Sequence, residues 1–296
     1  LAYSFTKEQW ESIFKVGYPG TWDIGTLAAE AMYRGGEALV KKHLEDGQYL
    51  PFNIEDIIEA GLNQLSKEII SLKTPAEVYA RVLKALDEKT GLSVIRLGDG
   101  EVLALAHDIL VSSEEINKNG KLQYALGGFK VPDHEKRQLL LENLQEADIV
   151  GIPEARYPTY QRLFNNLAKE IKLPLNQTCF TSSQINYKMN EETNCYHHLL
   201  SHYRVLLIGN RAADGKEFLN AKGYHSIVGT IPVPDISSVP EVLDQASNYE
   251  FDVALVSAGI PANLICVELA KQKKVALDFG HLLDWYIKGI RVLRKS

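Results

Sequence analysis

The sequence predicts an α/β protein, with a Rossmann-like, mostly parallel sheet flanked by helices and preceded by an all-helical amino-terminal segment. Three observations predict it. Up to residue 89 the apolar residues recur only at the three-to-four spacing of helices. From residue 92 short β-rich runs alternate with helical patterns, the rhythm of a parallel sheet covered on both faces. Glycine and polar residues then gather directly after those runs, at the edge where such sheets bind ligands.

The elements follow in order. Residues 7–16, 24–45, 54–72 and 75–89 read as helices, separated by Tyr18-Pro19-Gly20, Gly47 and Lys73-Thr74-Pro75. Thr74 suits a helix cap, and Pro75 the first helical position. The β-rich runs are 93–97, 148–152, 204–208, 226–231, 253–256 and 274–277. Helical patterns follow at 101–110, 133–146, 160–171, 191–203, 215–222, 239–247 and 261–272. The expected organisation is a helical segment over 1–74 and a Rossmann-like domain over 75–296, with no internal repeat and no low-complexity linker.

Composition narrows the function. The chain has 296 residues, 45% hydrophobic and 24% charged, which fits globular material and not disorder. A formal charge of -6 and no large Lys/Arg cluster argue against nucleic acid as a partner. An acidic protein that binds an anionic nucleotide has to neutralise it locally, with a cation or with helix amino termini. Cys179, Cys195 and Cys266 are odd in number and widely spaced, as expected of reduced thiols in the cytoplasm. No stretch reaches membrane-spanning length, and the chain opens at Leu1 with no basic-then-apolar leader pattern.

Chemistry concentrates after the runs. Arg96-Leu97-Gly98-Asp99-Gly100-Glu101 puts two carboxylates, one glycine apart, where a strand hands over to a helix; both can reach one hard cation. Asp99 also reads as a plain helix cap with Glu101 in the first turn, although a capping box around Asp99 would need an acid at Val102. A dinucleotide fingerprint is disfavoured, because Leu103 stands where the third glycine belongs. Ser257-Ala258-Gly259 before Pro261 reads as an anion-accepting turn, or as a tight turn that needs small residues. His281, near Asp278 and Asp284, reads as a hydrogen-bond partner of phosphate, sugar or metal-bound groups, or as a first-turn structural residue. Pro153-Glu154-Ala155-Arg156 and Gly209-Asn210-Arg211 complete the edge. His198 and His202, four apart on a helix after Cys195, form a competing zinc-like pair.

The Arg96–Glu101 motif, with Ser257-Ala258-Gly259 and Asp278-Phe279-Gly280-His281-Leu282-Leu283-Asp284, resembles the bacterial glycosyltransferases of the GT-D fold type. The resemblance covers about residues 75–295. It implies a sugar-nucleotide donor, typically UDP-linked, a divalent cation such as Mn²⁺ or Mg²⁺, and a glycan or glycoconjugate acceptor. Asp99 and Glu101 would then serve the metal and, with Asp278 and His281, the reaction. Arg96, Gly98, Gly100, Glu154, Asn210, Ser257, Ala258 and Gly259 would line the nucleotide-sugar site, with Asn186 a further carry-over. Asp278, His281 and Glu154 stand as candidate general bases in no fixed order. A metal-dependent phosphohydrolase and a non-catalytic nucleotide-binding module remain as alternatives. The amino-terminal helices, with Trp10, Phe14, Tyr18 and Trp22, suit core packing, an acceptor-site wall or a homo-oligomer interface.

Overall fold

A computed structural model describes residue 30, residues 33–154 and residues 160–295. The chain divides into two compact units, one ending at Ile70 and one over Ser71–Ser296. In the first lie helices α1 (Glu37–Lys41) and α2 (Ile54–Gln64), and a 3-10 turn over Ser66–Glu68. The Asp56 carboxylate accepts the Asn53 backbone N–H at 2.9 Å and starts α2. The expected helix over 7–16 with Trp10 and Phe14, and the aromatics Tyr18 and Trp22 beyond it, lie outside the described residues, as does Arg156.

The second unit opens with α3 (Pro75–Glu88) behind a full capping box. Thr74 Oγ1 accepts from Glu77 N, and the Glu77 carboxylate accepts from Thr74 N at 2.9 Å. The hydrogen bond from Lys73, then those from Thr74, hold the Glu77 carboxyl down at about 2. Then come β1 (Leu92–Arg96), α4 (Asp99–Ala106), α5 (Ser113–Lys118), α6 (Gly120–Ala125), α7 (His134–Glu146) and β2 (Ile149–Ile152). They are followed by α8 (Gln161–Glu170), β3 (Phe180–Ser182), α9 (Ile185–Glu192), α10 (Cys195–His202) and β4 (Val205–Gly209). The rest is α11 (Ala212–Ala221), β5 (Ile227–Ile231), α12 (Val239–Ser247), β6 (Val253–Ser257), α13 (Pro261–Lys271), β7 (Val275–Asp278) and α14 (Leu282–Ile287).

These strands form one seven-stranded sheet in the order β3-β2-β1-β7-β6-β4-β5, every pairing parallel. The chain lays β2 and β3 to one side of β1 and β4 through β7 to the other, so strand order reverses beside β1. Central strands β4, β6 and β7 are apolar and buried on both faces, whereas edge strand β5 alternates. One face is read from the period of two: Leu92 and Val94, Val205 and Leu207, Val253 and Leu255, Val275 and Leu277 pack with residues of α3, α9, α10, α11 and α14. Helix α13 packs on β1, β6 and β7 and against α7 and α12.

Four expectations are corrected. The helix expected over 54–72 ends at Gln64 and gives way to the 3-10 turn over Ser66–Glu68. A strand at β3 joins the six expected; at three residues it carries no readable alternation. The single helix expected over 191–203 is two. The Thr193 hydroxyl donates to Met189 O and accepts from Cys195 N, and Thr193 itself is extended, which breaks the helix. The helix expected over 101–110 runs instead from Asp99 to Ala106, with Gly98 as its cap.

Thr74→Ala removes one half of the capping box, and the expected loss is about 1 kcal/mol of unfolding free energy, read as a lower urea midpoint at unchanged slope.

Candidate active site

The carboxyl ends of the strands carry the site, and Arg96 organises them. It is the last residue of β1 and nearly buried, with 14% of its side chain exposed. Its guanidinium donates to Asp278 Oδ1 at 3.0 Å, Asp278 O at 3.2 Å, Ser183 O at 3.1 Å and Asn186 Oδ1 at 3.2 Å. One side chain thereby ties the ends of β1 and β7 to the β3–α9 loop and the first turn of α9. Asn186 in turn donates to Phe279 O at 2.8 Å, and Gly280 N donates to Asp278 Oδ1 at 3.0 Å. Burial pushes the Asp278 carboxyl up, while the Arg96 guanidinium and the Gly280 amide pull it back. Gly280 has φ +55, and an added Cβ would come within 2.1 Å of Arg96 Nη2.

Across that knot lies the Asp99–Glu101 turn. Asp99 is exposed, and its Oδ1 accepts Gly100 N at 3.0 Å. Glu101 turns back so that Oε2 accepts Gly98 N at 2.9 Å. A capping contact therefore exists after all. The helix starts two residues earlier than expected, the cap is Gly98, and Glu101 occupies the third helical position. Burial first, and then the Asp278 charge, push the Glu101 carboxyl up to about 7, with Asp99 adding to the effect and Arg96 opposing it. Gly100 is needed for packing, because a Cβ there would sit 2.3 Å from Ala125 O at the end of α6. Among the described residues no third His, Cys, Asp or Glu converges on Asp99 and Glu101.

The β6–α13 turn lies two strands from β1. Ser257, Ala258 and Gly259 precede Pro261, which begins α13, and Gly259 has φ +62 with open space around it. Ser257 Oγ and, in the first turn of α13, Asn263 Oδ1 are buried and have no hydrogen-bond partner among the described residues. Such orphaned atoms are costly unless something binds them. In β4, Gly209 allows close approach, since a Cβ would lie 2.3 Å from Ser257 O. Asn210 Oδ1 accepts Val233 N at 3.1 Å, tying the β4 and β5 loops together.

The remaining expected residues are placed as follows. Glu154 Oε2 accepts from Ser182 Oγ and from Lys188 Nζ, the latter at 3.2 Å. Burial acts to raise its pKa, but these two bonds hold it below the ordinary value, so it stays an anchored carboxylate. His281 is exposed as the cap of α14, and its carbonyl accepts Trp285 N at 3.0 Å. Arg211 pairs with Asp214 at 2.9 Å and lies 3.6 Å from Asp284. His198 and His202 stack at 4.4 Å, and a ring nitrogen of His202 is bonded to His198 O, an arrangement of packing. Ser182, Ser183 and Lys188 escape sequence reasoning because they cluster around the unrecognised β3. The apolar-polar step Phe180-Thr181-Ser182 before a helical pattern is the signal that marks them.

Gly280→Ala and Gly259→Ala separate backbone strain from the Arg96 contact. Both place alanine at positive φ, at a cost of about 1 kcal/mol. Gly280→Ala also has to displace Arg96, and is expected to lose at least about 1 kcal/mol more in urea unfolding than Gly259→Ala.

Residues 73–286 match a family model described as a GT-D fold-like domain. Among solved structures, the chain is similar to a highly conserved domain of unknown function 1792 with a distinct glycosyltransferase fold. The identity is 17%, over 78% of this chain and 85% of that one, with a TM-score of 0.48. It is also similar to a glycosyltransferase of the same domain class from Streptococcus sanguinis, at 17% identity over 75% of this chain and 86% of that one, with a TM-score of 0.45. No curated protein matches. With the family model covering well over half its length, and with a parallel sheet whose polar residues gather at the carboxyl edge, this chain belongs to the GT-D fold-like family of glycosyltransferases.

Proposed function

We propose that the protein transfers a sugar from a nucleoside diphosphate sugar, UDP-linked in the first instance, to a hydroxyl of a glycan or glycoconjugate, with Mn²⁺ or Mg²⁺ as cofactor. The observation that carries this reading is the pairing, along one sheet edge, of the Asp99–Glu101 carboxylates with a β6–α13 turn whose buried Ser257 hydroxyl has no partner among the described residues and can donate to a phosphate. One feature prefers negative groups and the other prefers cations, and a metal-bound diphosphate satisfies both.

The donor set fits such a cation. Asp99 and Glu101 are hard oxygen ligands, and burial, followed by the Asp278 charge, raises the Glu101 carboxyl, a cost to its charged form that a divalent ion would offset. When bound, the ion stabilises the negative charge that collects on the departing diphosphate as the glycosyl bond breaks. The chain's own residues do the rest. The Ser257-Ala258-Gly259 turn receives a phosphate at the start of α13, where the Ser257 hydroxyl and the helix dipole favour an anion. Arg96 and Asp278 act by position: their bonds leave them little freedom, and they fix the Phe279-Gly280-His281 turn. Of the three candidate bases, His281 is the exposed one with an imidazole suited to taking the acceptor proton; Glu154 is held by Ser182 and Lys188, and Asp278 by Arg96. Gly98, Gly100 and Asn210 shape the loops around the donor.

A screen of UDP-linked and other nucleotide-linked sugars with Mn²⁺ is expected to reveal transfer that a chelator abolishes and added Mn²⁺ restores. Asp99→Asn and Glu101→Gln should each lower kcat/KM by about a hundredfold or more, in keeping with the several kcal/mol a catalytic metal supplies. Their urea midpoints should stay near the parental value, because neither side chain packs a core. Parental transfer rates in both variants would refute the metal assignment, and release of free sugar in place of a transferred product would assign hydrolysis.

A further inference from the structure

Helix α4 carries Asp99 and Glu101 at its start and a second constellation at its other end. His107 follows its last residue, Asp108 comes next, and His134 opens α7. One ligand atom from each of these three side chains lies within 4.8 Å of the others. The His107 ring is fully buried, with Nδ1 2.6 Å from Ala104 O and Nε2 accepting Asp133 N at 3.2 Å. A backbone N–H only donates, so Nε2 carries the lone pair and Nδ1 the proton. An imidazole whose Nδ1 is committed to a carbonyl and whose Nε2 is free of a proton has the orientation found in metal-bound histidines.

The other two groups lie beside that ring, and one imidazole has to turn for both lone pairs to meet at one ion. The His134 ring stacks on His107 at 5.6 Å and 18°, and its Nε2 lies 2.8 Å from Asp108 Oδ2. Asp108 sits at φ +54, held there by Ser113, whose N and Oγ donate to its two oxygens at 2.7 and 2.8 Å. Two cations lie near: Lys136 pairs with Asp133 at 2.7 Å, while Arg137 donates to His107 O and leaves its charge beside the cluster, where the Asp108 carboxylate opposes it.

We propose that His107 Nε2, His134 Nε2 and an Asp108 carboxylate oxygen bind a borderline transition-metal ion of the Zn²⁺ class, with water completing the shell. The ion replaces the long Asp133 bond at Nε2 and the direct His134–Asp108 contact, and it pins the end of α4 to the start of α7. Two imidazoles and one carboxylate select such a metal, whereas the all-oxygen Asp99–Glu101 pair selects Mg²⁺ or Mn²⁺. This site does not depend on the sugar-transfer reading.

The test is a Co²⁺ titration of the full chain, stripped of metal and held in excess Mg²⁺ to fill oxygen-only sites, followed by visible absorption. One equivalent of Co²⁺ is expected to give a ligand-field band that Zn²⁺ abolishes by competition. His134→Ala and Asp108→Asn, both at accessible side chains, should each weaken binding by about tenfold or more, since losing even an outer partner of a metal ligand costs that much. Asp99→Asn and His202→Ala should leave the band intact. Absence of the band, its survival in both His134→Ala and Asp108→Asn, or its loss in Asp99→Asn or His202→Ala overturns the proposal.

Discussion

The arrangement of the sheet's carboxyl edge depends on one buried ion pair, Arg96 with Asp278. These are the last residues of two neighbouring central strands, and neither has water enough to solvate its charge. A buried pair of this kind adds little net stability, because desolvation offsets the attraction. Removing one partner is another matter, since it strands a charge in the interior. The pair therefore acts as a specificity device: only one placement of β1 beside β7 lets Arg96 reach Asp278, Ser183 and Asn186 together. The turn that carries His281 inherits its position from that placement through Gly280 N and Phe279 O.

A consequence is that the carboxylates divide by task. Asp278 and Glu154 are spoken for by cationic partners inside the protein, whereas among the described residues Asp99 holds its neighbouring amide and pairs with no cation. Glu101 stands between the two groups. Its bond to Gly98 N steadies the start of α4, yet burial and nearby Asp278 and Asp99 make its charged form expensive. A divalent ion at the turn would remove that expense and let the carboxylate ionise near neutrality. Under the proposed function, helix cap and metal ligand would be alternative roles of this one side chain, with the cap holding it at the turn.

Much of the fold was legible because its signals are local. The change of period near residue 90, the continuous apolar runs of β4, β6 and β7, and the Thr74-Pro75 cap can all be read within a few residues. What escaped has a physical cause in each case. Strand β3 is too short to show a period, Thr193 breaks a helix through a hydroxyl bond, and the cap at Gly98 depends on how Glu101 folds back. The edge residues Asp99, Ser257 and His281 were legible from their place after strands. Their partners were not, because Arg96 and Asp278 meet across 182 positions of sequence that only the sheet order brings together.

Helix α4 gives the architecture a polarity in metal preference as well as in charge. Its first turn offers carboxylate oxygens near exposed solvent, and its far end offers a buried neutral imidazole beside a second ring and a fixed carboxylate. Eight helical residues span only about 12 Å, so movement at one end is transmitted to the other as a rigid body. Gly100 packed against Ala125 O leaves the first turn no room to slide. An ion that ties His107 to His134 would immobilise the opposite end against α7. The donor carboxylates would then be presented by a helix fixed at both ends, a preorganisation that a turn on a loop alone lacks.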